Sequence, residues 1–465
     1  MIRARTLAIP GTVHQRLKAH LFPGDGKEAA AVLLCSRVER AGLKLLVRDF
    51  ILVPHDQCHR TSVSLSWPGE YLDRALDAAE SEDLSILLLH SHPNGIYDFS
   101  QVDDQSDQDS VSALVWGRAT EDLEGEPWHG SCIMVPCGAI KARVYDREMR
   151  AYPLDLVATY GDELQFYWGG DPRPRPPTMA FGDAMADVLV KLSVAVIGVS
   201  GTGSLVAEQL LRMGVGEMIV VDHDRVEEKN LNRILNTTQQ DAIEHVLKVD
   251  AFKKTAGRIR PGSEVKAIAC PIGARVAIEA VAEADIVFCC VDSLEARHIC
   301  DRLAAAMIQP LFDVGVSIPV RTPLRGMVIS NVCGRIDYVQ PGGSTLADRG
   351  VYTPELLEAE YLKSADPDAF RERVREGYMP GAAQEAPAVI CVNMHAASSV
   401  VLEFVARAFP FRLYGNAEFA RVEYDLAVGD QSTAPDGRFV ADSAGLLGVG
   451  LRRPLLDLPI LEDCL

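Results

Sequence analysis

The sequence predicts an α/β protein that contains at least two folded domains. Leucine and isoleucine dominate the six residues before His90, which is the pattern of a buried strand. A β-branched apolar strand at 194–198 is followed by an amphipathic helix that ends at Gly214 and by a second strand, and together they predict a β-α-β unit. Between these regions, the segment GGDPRPRPPTM holds four prolines and two glycines in eleven residues, a composition that neither a helix nor a central strand accepts.

Length and composition exclude several classes of function. The chain has 465 residues, 48% of them hydrophobic, which is enough core material for two or three domains. A formal net charge of -19 argues against a nucleic acid or an anionic membrane as partner, because both attract a basic surface. The sequence shows no signal-peptide pattern and no stretch near the roughly 18 apolar residues of a spanning helix, so we expect a soluble, cytoplasmic protein. The eleven cysteines include no C-x-x-C pair and are expected to be reduced core thiols.

The first candidate site follows the buried strand. His90 and His92 stand at positions i and i+2 of that strand, so both imidazoles face one side and can reach one point. Ser100 is expected to be the N-cap of a helix, which places Asp103 in the first turn, where its carboxylate can turn back toward the histidines. Two imidazoles and one carboxylate leave the fourth position of a zinc ion open, and that arrangement is typical of a catalytic zinc site.

These residues resemble the JAMM motif of the JAB/MPN zinc metallopeptidases, which reads His-x-His, seven residues, Ser, two residues, Asp. The resemblance implies an α-β-α domain with peptidase or isopeptidase activity. It also implies an upstream glutamate that takes the proton of the attacking water, and Glu28 occupies that place, although Ala29 to Ala31 replace the usual small-Cys-Gly run. Ser100 would support the developing oxyanion. The alternative for Glu28 is an exposed charge at the start of a strand.

A second candidate site begins in the loop after the first strand of the β-α-β unit. This loop contains Gly198, Gly201 and Gly203, and it would let phosphates approach the backbone and a helix N-terminus. The spacing departs from Gly-x-Gly-x-x-Gly, because Val206 stands at the third glycine position. Asp222 ends the next strand, where a ribose-binding acid belongs. On these residues alone, NAD remains an alternative ligand.

The residues that follow decide between these ligands. Six polar residues occur in a fixed order, namely Asp222, Asp224, Asn230, Arg233, Lys248 and Asp292. The order Asp-x-Asp, Asn-Leu-x-Arg, Lys, Asp resembles the nucleotide site of the ThiF/ubiquitin-activating-enzyme superfamily, whose members adenylate the C-terminal glycine of a β-grasp protein. The resemblance implies a Rossmann-like adenylation domain in which Asp222 holds the ribose and Asp292 holds Mg²⁺. Asn230, Arg233 and Lys248 would hold the triphosphate of ATP, a group that a dehydrogenase does not bind.

One departure from that superfamily concerns cysteine. Relatives often carry Cys-x-x-Cys near a Pro-Gly-Gly, whereas here the Pro-Gly-Gly precedes Ser344, Thr345 and Asp348. We therefore expect no structural zinc in this domain. The nearest thiols, Cys333 and Cys391, lie in apolar stretches, so we interpret both as buried core residues of low reactivity.

The two resemblances divide the chain. We expect a JAB/MPN metallopeptidase domain at 1–165, a proline-rich linker at 166–182, a ThiF-type adenylation domain at 183–412 and a C-terminal extension at 413–465. Arg173 and Arg175 in the linker are the only nearby candidates for an arginine finger.

The fusion predicts a bifunctional enzyme that acts on a small ubiquitin-like protein of the β-grasp fold. The zinc site would mature or deconjugate that protein, and the second site would use ATP and Mg²⁺ to adenylate its C-terminal glycine. The resemblance also implies a homodimer and a conjugating enzyme as a further partner. Two alternatives remain open: activation of a sulfur carrier protein for biosynthesis, and a non-catalytic scaffold that binds ubiquitin-like tails.

Overall fold

The structure is a computed structural model that describes residues 5–117, 125–169, 182–321, 328–375, 389–440 and 445–461. The described residues divide into two compact units: one covers the chain up to residue 176 together with 306–308 and 447–451, and the other covers the remainder. Most of the predicted linker, including Arg173 and Arg175, lies outside the described residues. No helix within the described ranges is both long enough and apolar enough to cross a membrane.

The first unit is built on a mixed sheet. Its strands are β1 (Arg5–Pro10), β2 (Ala30–Glu39), β3 (Leu43–Leu52), β4 (His59–Arg60), β5 (Leu65–Ser66), β6 (Ser85–Ser91), β7 (His129–Met134), β8 (Ile140–Tyr145), β9 (Ala151–Pro153), β10 (Leu156–Tyr160) and β11 (Leu164–Trp168). Among the described residues, nine of these strands form one sheet in the order β11-β10-β1-β3-β2-β6-β7-β8-β9. The predicted strand before His90 is β6, which lies inside the sheet between antiparallel β2 and parallel β7.

Helices cover both faces of this sheet. They are α1 (Gly11–Leu21), α2 (Glu70–Glu82) and α3 (Gln101–Gly117). Leu33 of β2 packs in a cluster with Leu17 of α1, whereas its neighbours on β2 pack on the other face in a cluster with Ala75 of α2 and Leu114 of α3. Successive side chains of a strand point to opposite faces, and here both faces are buried. The predicted α-β-α architecture is therefore confirmed, and it explains why β2 and β6 read as almost continuous apolar runs.

The second unit contains a larger set of elements. Its strands are β12 (Ser193–Ile197), β13 (Glu217–Val221), β14 (Glu264–Ile268), β15 (Ile286–Cys289), β16 (Leu311–Ser317), β17 (Val320–Arg321), β18 (Val328–Ile329), β19 (Cys333–Val339), β20 (Arg421–Asp425) and β21 (Asp430–Ala434). Its helices are α4 (Asp183–Leu189), α5 (Gly201–Met213), α6 (Gln239–Ile243), α7 (Lys248–Ile259), α8 (Arg275–Ala282), α9 (Leu294–Ala306), α10 (Pro354–Ala365), α11 (Pro367–Arg375) and α12 (Ile390–Ala408).

The sheet of this unit is parallel on one side and antiparallel on the other. In the described residues the strand order is β14-β13-β12-β15-β16-β19-β20-β21, and the first five strands run parallel. The predicted β-α-β unit is β12-α5-β13, and α5 ends at Gly214, whose φ of 96° suits a glycine C-cap. Residues 421–434 belong to the segment expected as a C-terminal extension, yet they add the last two strands to the same sheet.

Polar and charged side chains form a network in the segment that follows the Pro-Gly-Gly. Ser344 is fully buried, and its hydroxyl donates a 2.6 Å hydrogen bond to Asp436. The guanidinium of Arg349 donates to Asp436 at 2.8 Å and to the buried Asp337 at 3.1 Å. This network ties Asp436, which follows β21, to the segment after β19, so ion pairs stabilise this part of the fold.

Thr345 and Asp348, which follow Ser344, form hydrogen bonds with each other. The carboxylate of Asp348 accepts a 2.8 Å hydrogen bond from the backbone amide of Thr345, and the hydroxyl of Thr345 accepts one of 3.1 Å from the amide of Asp348. Such reciprocal bonds satisfy backbone donors at the start of a helical turn.

We expect Arg349→Leu to lower the free energy of unfolding by about 3 kcal/mol, because it removes a buried cation from two carboxylates, one of them fully buried, and from the oxygens of Ser344 and Ala420. Urea unfolding followed by circular dichroism should show the loss. All four tryptophans, Trp67, Trp116, Trp128 and Trp168, belong to the first unit, so tryptophan fluorescence should change little. The exposed Arg371 of α11 provides the control variant Arg371→Leu, and equal stability of both variants would contradict the role of the network.

Candidate functional sites

The structure brings the three predicted zinc ligands together. The Nε2 atoms of His90 and His92 lie 3.0 Å apart. The carboxylate of Asp103 places one oxygen 3.1 Å from His90 Nε2 and the other 3.5 Å from His92 Nε2. His90 is the penultimate residue of β6 and pairs with Ala30 of β2, so the sheet fixes its position.

These distances fit a tetrahedral zinc ion. With ligand bonds of about 2.0–2.2 Å, neighbouring ligand atoms of a tetrahedron lie roughly 3.3 Å apart. The separation of the two Nε2 atoms, 3.0 Å, and that of His90 Nε2 from one Asp103 oxygen, 3.1 Å, are close to that value, whereas the 3.5 Å separation involves the other Asp103 oxygen. One ligand atom from each of the three residues lies within 4.8 Å of the other two, so one ion can reach all three. The Nδ1 atom of His92 lies 2.8 Å from the carbonyl oxygen of Ile96, an acceptor that favours a proton on Nδ1 and leaves the lone pair of Nε2 for the metal.

The helix start holds the carboxylate in place. As predicted, Ser100 caps α3: its hydroxyl accepts a 3.2 Å hydrogen bond from the amide of Asp103, and the Asp103 carboxylate accepts one of 2.6 Å from the amide of Ser100. Burial raises the pKa of Asp103. Hydrogen bonds from His90, His92 and the backbone of Ser100 together lower it by more than burial raises it, so the net pKa lies below the usual range. The carboxylate is therefore ionised, as a zinc ligand must be.

Glu28 lies beside these ligands and is not an exposed charge. Its side chain is only 8% exposed, because the segment before β2 continues the pairing with β6 through bonds between Ala29 and Ser91. Burial raises the pKa of Glu28, His90 and His92 lower it, and Asp103 raises it, with a net rise. Arg60 fixes the backbone by donating a 2.5 Å hydrogen bond from Nε to the carbonyl oxygen of Glu28.

A buried network on α3 was not predicted from the sequence. Asp107 lies one turn after Asp103 and accepts hydrogen bonds from Tyr145 at 2.7 Å, from Arg143 at 2.9 Å and from the hydroxyl of Ser131. These donors come from β7 and β8, so the network locks α3 against the sheet and holds Asp103 toward the histidines. The signal was weak in the sequence, because the donors lie 24 to 38 residues away.

The second site is a cavity at the carboxyl ends of the parallel strands. Its wall includes seven of the predicted ATP and magnesium residues: Gly198, Gly201, Asp222, Asp224, Arg233, Lys248 and Asp292. Gly198 adopts φ of 83°, which favours glycine, and a Cβ at Gly203 would lie 1.7 Å from the carbonyl oxygen of Gly198. Gly203 thus allows the close packing of α5 on the loop, and it is not part of the wall.

Asp222, Asp224 and Lys248 form one charged group in this cavity. Asp222 accepts hydrogen bonds from the backbone amides of Val199 at 2.8 Å and Asp224 at 2.9 Å. Burial raises the pKa of Asp222 more than Lys248 lowers it. The buried Lys248 donates a 2.7 Å hydrogen bond to Asp224. Burial raises the pKa of Asp224, but this bond and the charges of Lys248, His223 and Lys229 together lower it more, so the net pKa is lowered.

The glycine loop is covered by Arg233 and by Asn393, a residue that the sequence did not indicate. A Cβ at Gly201 would lie 3.0 Å from Arg233 Cδ and 3.0 Å from Asn393 Nδ2. Asn393 belongs to α12 and donates a 2.7 Å hydrogen bond to the hydroxyl of Thr202. Because 191 residues separate this pair, no local pattern could have indicated the contact.

Asn230 lies outside the cavity wall, whereas Asp292 lies in the wall but outside its compact acidic group. Asn230 is 3% exposed and is not part of the cavity wall; its side-chain oxygen accepts a 3.0 Å hydrogen bond from the amide of Glu227 and caps a short turn. Asp292 is exposed in the wall just after β15. Among the described residues, the group of this cavity whose ligand atoms lie within 4.8 Å of one another is Asp222, His223 and Asp224, without Asp292.

The interpretation of both nearby thiols as buried core residues was wrong, since neither Cys391 nor Cys333 is buried. Cys391 is exposed at the start of α12, because the first turn of that helix turns its side chain to solvent. Cys333 is half-buried and lies in the cavity wall. Burial and the neighbouring Asp425 raise the pKa of the Cys333 thiol.

Comparison with known families agrees with this two-part organisation. Residues 10–152 match the family described as prokaryotic homologs of the JAB domain, and residues 176–338 match the ThiF family. Similar proteins include ubiquitin-like modifier-activating enzyme 5 of Culex quinquefasciatus, 33% identical over 162 residues, and that of Aedes aegypti, 32% identical over 184 residues. These alignments cover 32% and 37% of the length of this chain. They cover only 37% and 42% of the length of the two relatives.

Solved structures of Escherichia coli MccB are also similar to this chain. One, with succinimide, aligns at a TM-score of 0.43 and 16% identity over 57% of this chain and 69% of MccB. Another, with ATP, aligns at a TM-score of 0.42 and 17% identity over 57% and 69%. The family matches carry the conclusion: this α/β chain joins an N-terminal JAB domain to a ThiF domain that is homologous to ubiquitin-like modifier-activating enzymes.

Proposed function

We propose that the first unit is a zinc peptidase or isopeptidase that cleaves at the C-terminal tail of a small ubiquitin-like protein. The observation that carries this proposal is the close grouping of one nitrogen of His90, one nitrogen of His92 and a carboxylate oxygen of Asp103, which lie near enough to one another to bind a single zinc ion. A zinc ion held there would polarise the scissile carbonyl and lower the pKa of water.

The residues of the chain supply the remaining chemistry of cleavage. Glu28 accepts a proton from the attacking water and returns it to the leaving amine, and its raised pKa makes it a better proton acceptor in the first of these steps. Ser100 accepts a bond from the Asp103 amide, so its own hydroxyl proton can be donated to the developing oxyanion.

We propose that the second unit adenylates the same kind of tail. The terminal carboxylate attacks the α-phosphate of ATP, a new carboxyl-phosphate bond forms, and the bond to pyrophosphate breaks. Gly198 and Gly201 let phosphates approach the backbone, while Arg233 and Lys248 balance their charge. Asp292 would hold Mg²⁺, an ion that is commonly bound by one or two carboxylates together with substrate phosphates and that would neutralise part of the phosphate charge.

One small β-grasp protein with a flexible C-terminal tail would serve both sites. A peptidase exposes or frees a terminal glycine, and an adenylating enzyme needs that free carboxylate. The names of the homologous relatives support a ubiquitin-like modifier as the substrate of the second unit. ATP–pyrophosphate exchange with a candidate β-grasp protein tests the proposal directly, and exchange that does not depend on that protein would contradict it.

We expect Cys333→Ser and Cys391→Ser to leave adenylation intact, because attack on the α-phosphate requires no thiol. We further propose that the thiol of a partner, such as a conjugating enzyme, attacks the acyl-adenylate directly, so that a thioester bond forms, the acyl–phosphate bond breaks and AMP leaves. A non-reducing gel after incubation with ATP and substrate checks this expectation. A thioester-linked adduct that disappears in either serine variant would contradict direct transfer and identify the nucleophile.

A further inference from the structure

One part of the cavity wall in the second unit is apolar and comes from three separate parts of the chain. These are the segment 271–274 after β14, Ile299 of α9, and Leu461 from residues 455–461. The side chains of this part of the wall are almost fully buried: Ile272, Ile299 and Leu461 are 5%, 4% and 6% exposed.

The three parts meet at Gly273. A Cβ on this glycine would lie 3.3 Å from Ile299 Cδ1 and 3.8 Å from Leu461 Cδ2. The 3.8 Å distance is that of ordinary van der Waals contact and the 3.3 Å distance is tighter, so the side chains of Ile299 and Leu461 both lie close beside the segment after β14. A flat ring placed along this wall would therefore contact Leu461 as well as the loop.

The helix that carries Ile299 also anchors the segment that carries Leu461. Arg302 stands three positions after Ile299 on α9 and donates a 2.7 Å hydrogen bond to the carbonyl oxygen of Leu456. Its guanidinium also lies 3.9 Å from the carboxylate of Asp457. Leu456 is 1% exposed, so the segment is held by burial as well as by this cation.

Strand order places this apolar wall next to the ribose residue. The glycine loop follows β12, Asp222 ends the adjacent β13, and the segment 271–274 follows β14, the next strand of the sheet. Ligands of open parallel sheets bind along the carboxyl ends of the strands. A nucleotide with its phosphates at the glycine loop and its ribose at Asp222 would then extend its base toward 271–274.

We propose that Leu461 forms part of the base-binding wall of the nucleotide site and contacts the purine ring of the bound nucleoside triphosphate. This proposal rests on the adenylation function proposed above and adds a residue that neither the glycine loop nor the charged motif contains. An apolar wall suits a purine, because the faces of the ring are apolar and lose water on binding.

Inorganic tripolyphosphate separates binding of the base from binding of the phosphates. The dissociation constants of ATP and of tripolyphosphate, each with Mg²⁺, are measured by calorimetry on the full chain and on Leu461→Ala. We expect the constant for ATP to rise about tenfold, as for loss of a few methyl or methylene contacts, and the constant for tripolyphosphate to stay unchanged. Leu461→Phe should restore ATP binding, because an aromatic ring can replace the lost contact.

Leu458→Ala is the matched control, since Leu458 lies in the same segment but is not part of the cavity wall. Unchanged ATP affinity in Leu461→Ala would overturn the inference. Equal weakening of ATP and tripolyphosphate would overturn it too, because it would show a general effect on folding. A wild-type protein that binds tripolyphosphate but not ATP would refute the proposed function together with the inference, whereas normal ATP binding in every variant would refute the inference alone.

Discussion

Glu28→Gln is expected to lower cleavage of a ubiquitin-like fusion by at least roughly a hundredfold while zinc stays bound, since that is the usual scale for loss of a general base. Glutamine keeps the shape of the side chain and leaves the backbone bonds of residue 28 to Thr61 and Arg60 unchanged. The chain thus loses only the proton acceptor beside His90 and His92. Steady-state cleavage assays and metal analysis of the same preparation measure the two effects.

His92→Ala provides the contrasting variant. It removes one of three ligands, and two ligands are too few to hold zinc tightly, so metal analysis should show about one ion per chain fewer than in the wild type. Glu39→Gln, at the exposed end of β2, is the control for a change of charge and should cleave normally. Cleavage that persists in Glu28→Gln would assign Glu28 a structural role, and equal zinc in His92→Ala and wild type would refute the ligand assignment.

Asp292→Ala is expected to abolish ATP–pyrophosphate exchange, with a loss of at least about a hundredfold. Without that carboxylate, Mg²⁺ would lose the ligand that we propose for it, and the charge that moves to the leaving group would be neutralised less well. Arg233→Ala should weaken exchange less, because Lys248 still faces the same cavity. Initial rates of exchange at saturating ATP measure both effects.

The exposed Asp368 of α11 offers a control that removes an aspartate outside the cavity, and Asp368→Ala should exchange normally. The cluster of Asp222, His223 and Asp224 is the alternative binding site for the cation. If Asp292→Ala keeps its exchange activity while Asp224→Ala loses it, the cation is held by that cluster, and the assignment of Asp292 is wrong.

Motifs confined to one continuous segment could be predicted with their geometry. His90 and His92 follow from the two-residue repeat of a strand, and the pairing of Ser100 with Asp103 follows from helix capping. The turn that ends α5 at Gly214 was also visible in the sequence. Each of these features depends on neighbours within about a dozen residues.

Other positions depended on which surfaces the fold brings together. Its place in a motif assigned Asn230 to the triphosphate, and only the structure shows that its side-chain oxygen caps a turn. Burial could not be judged from apolar neighbours alone, because Cys391 lies on the first turn of a helix and faces solvent. Motif order therefore located the region of the second site but not the orientation of every side chain.

The sequence by itself determined the two domain types, the strand and helix around His90, and the residues available for zinc and nucleotide chemistry. Only the tertiary structure decided that Asp107 locks α3, that Asn393 covers the glycine loop, and that Leu461 lies in the cavity wall. The physical reason is that repeats of strands and helices and the rules of capping act over a few residues and leave a local pattern. Contacts between distant segments arise when the whole core packs, and any apolar or polar residue of suitable size can make them.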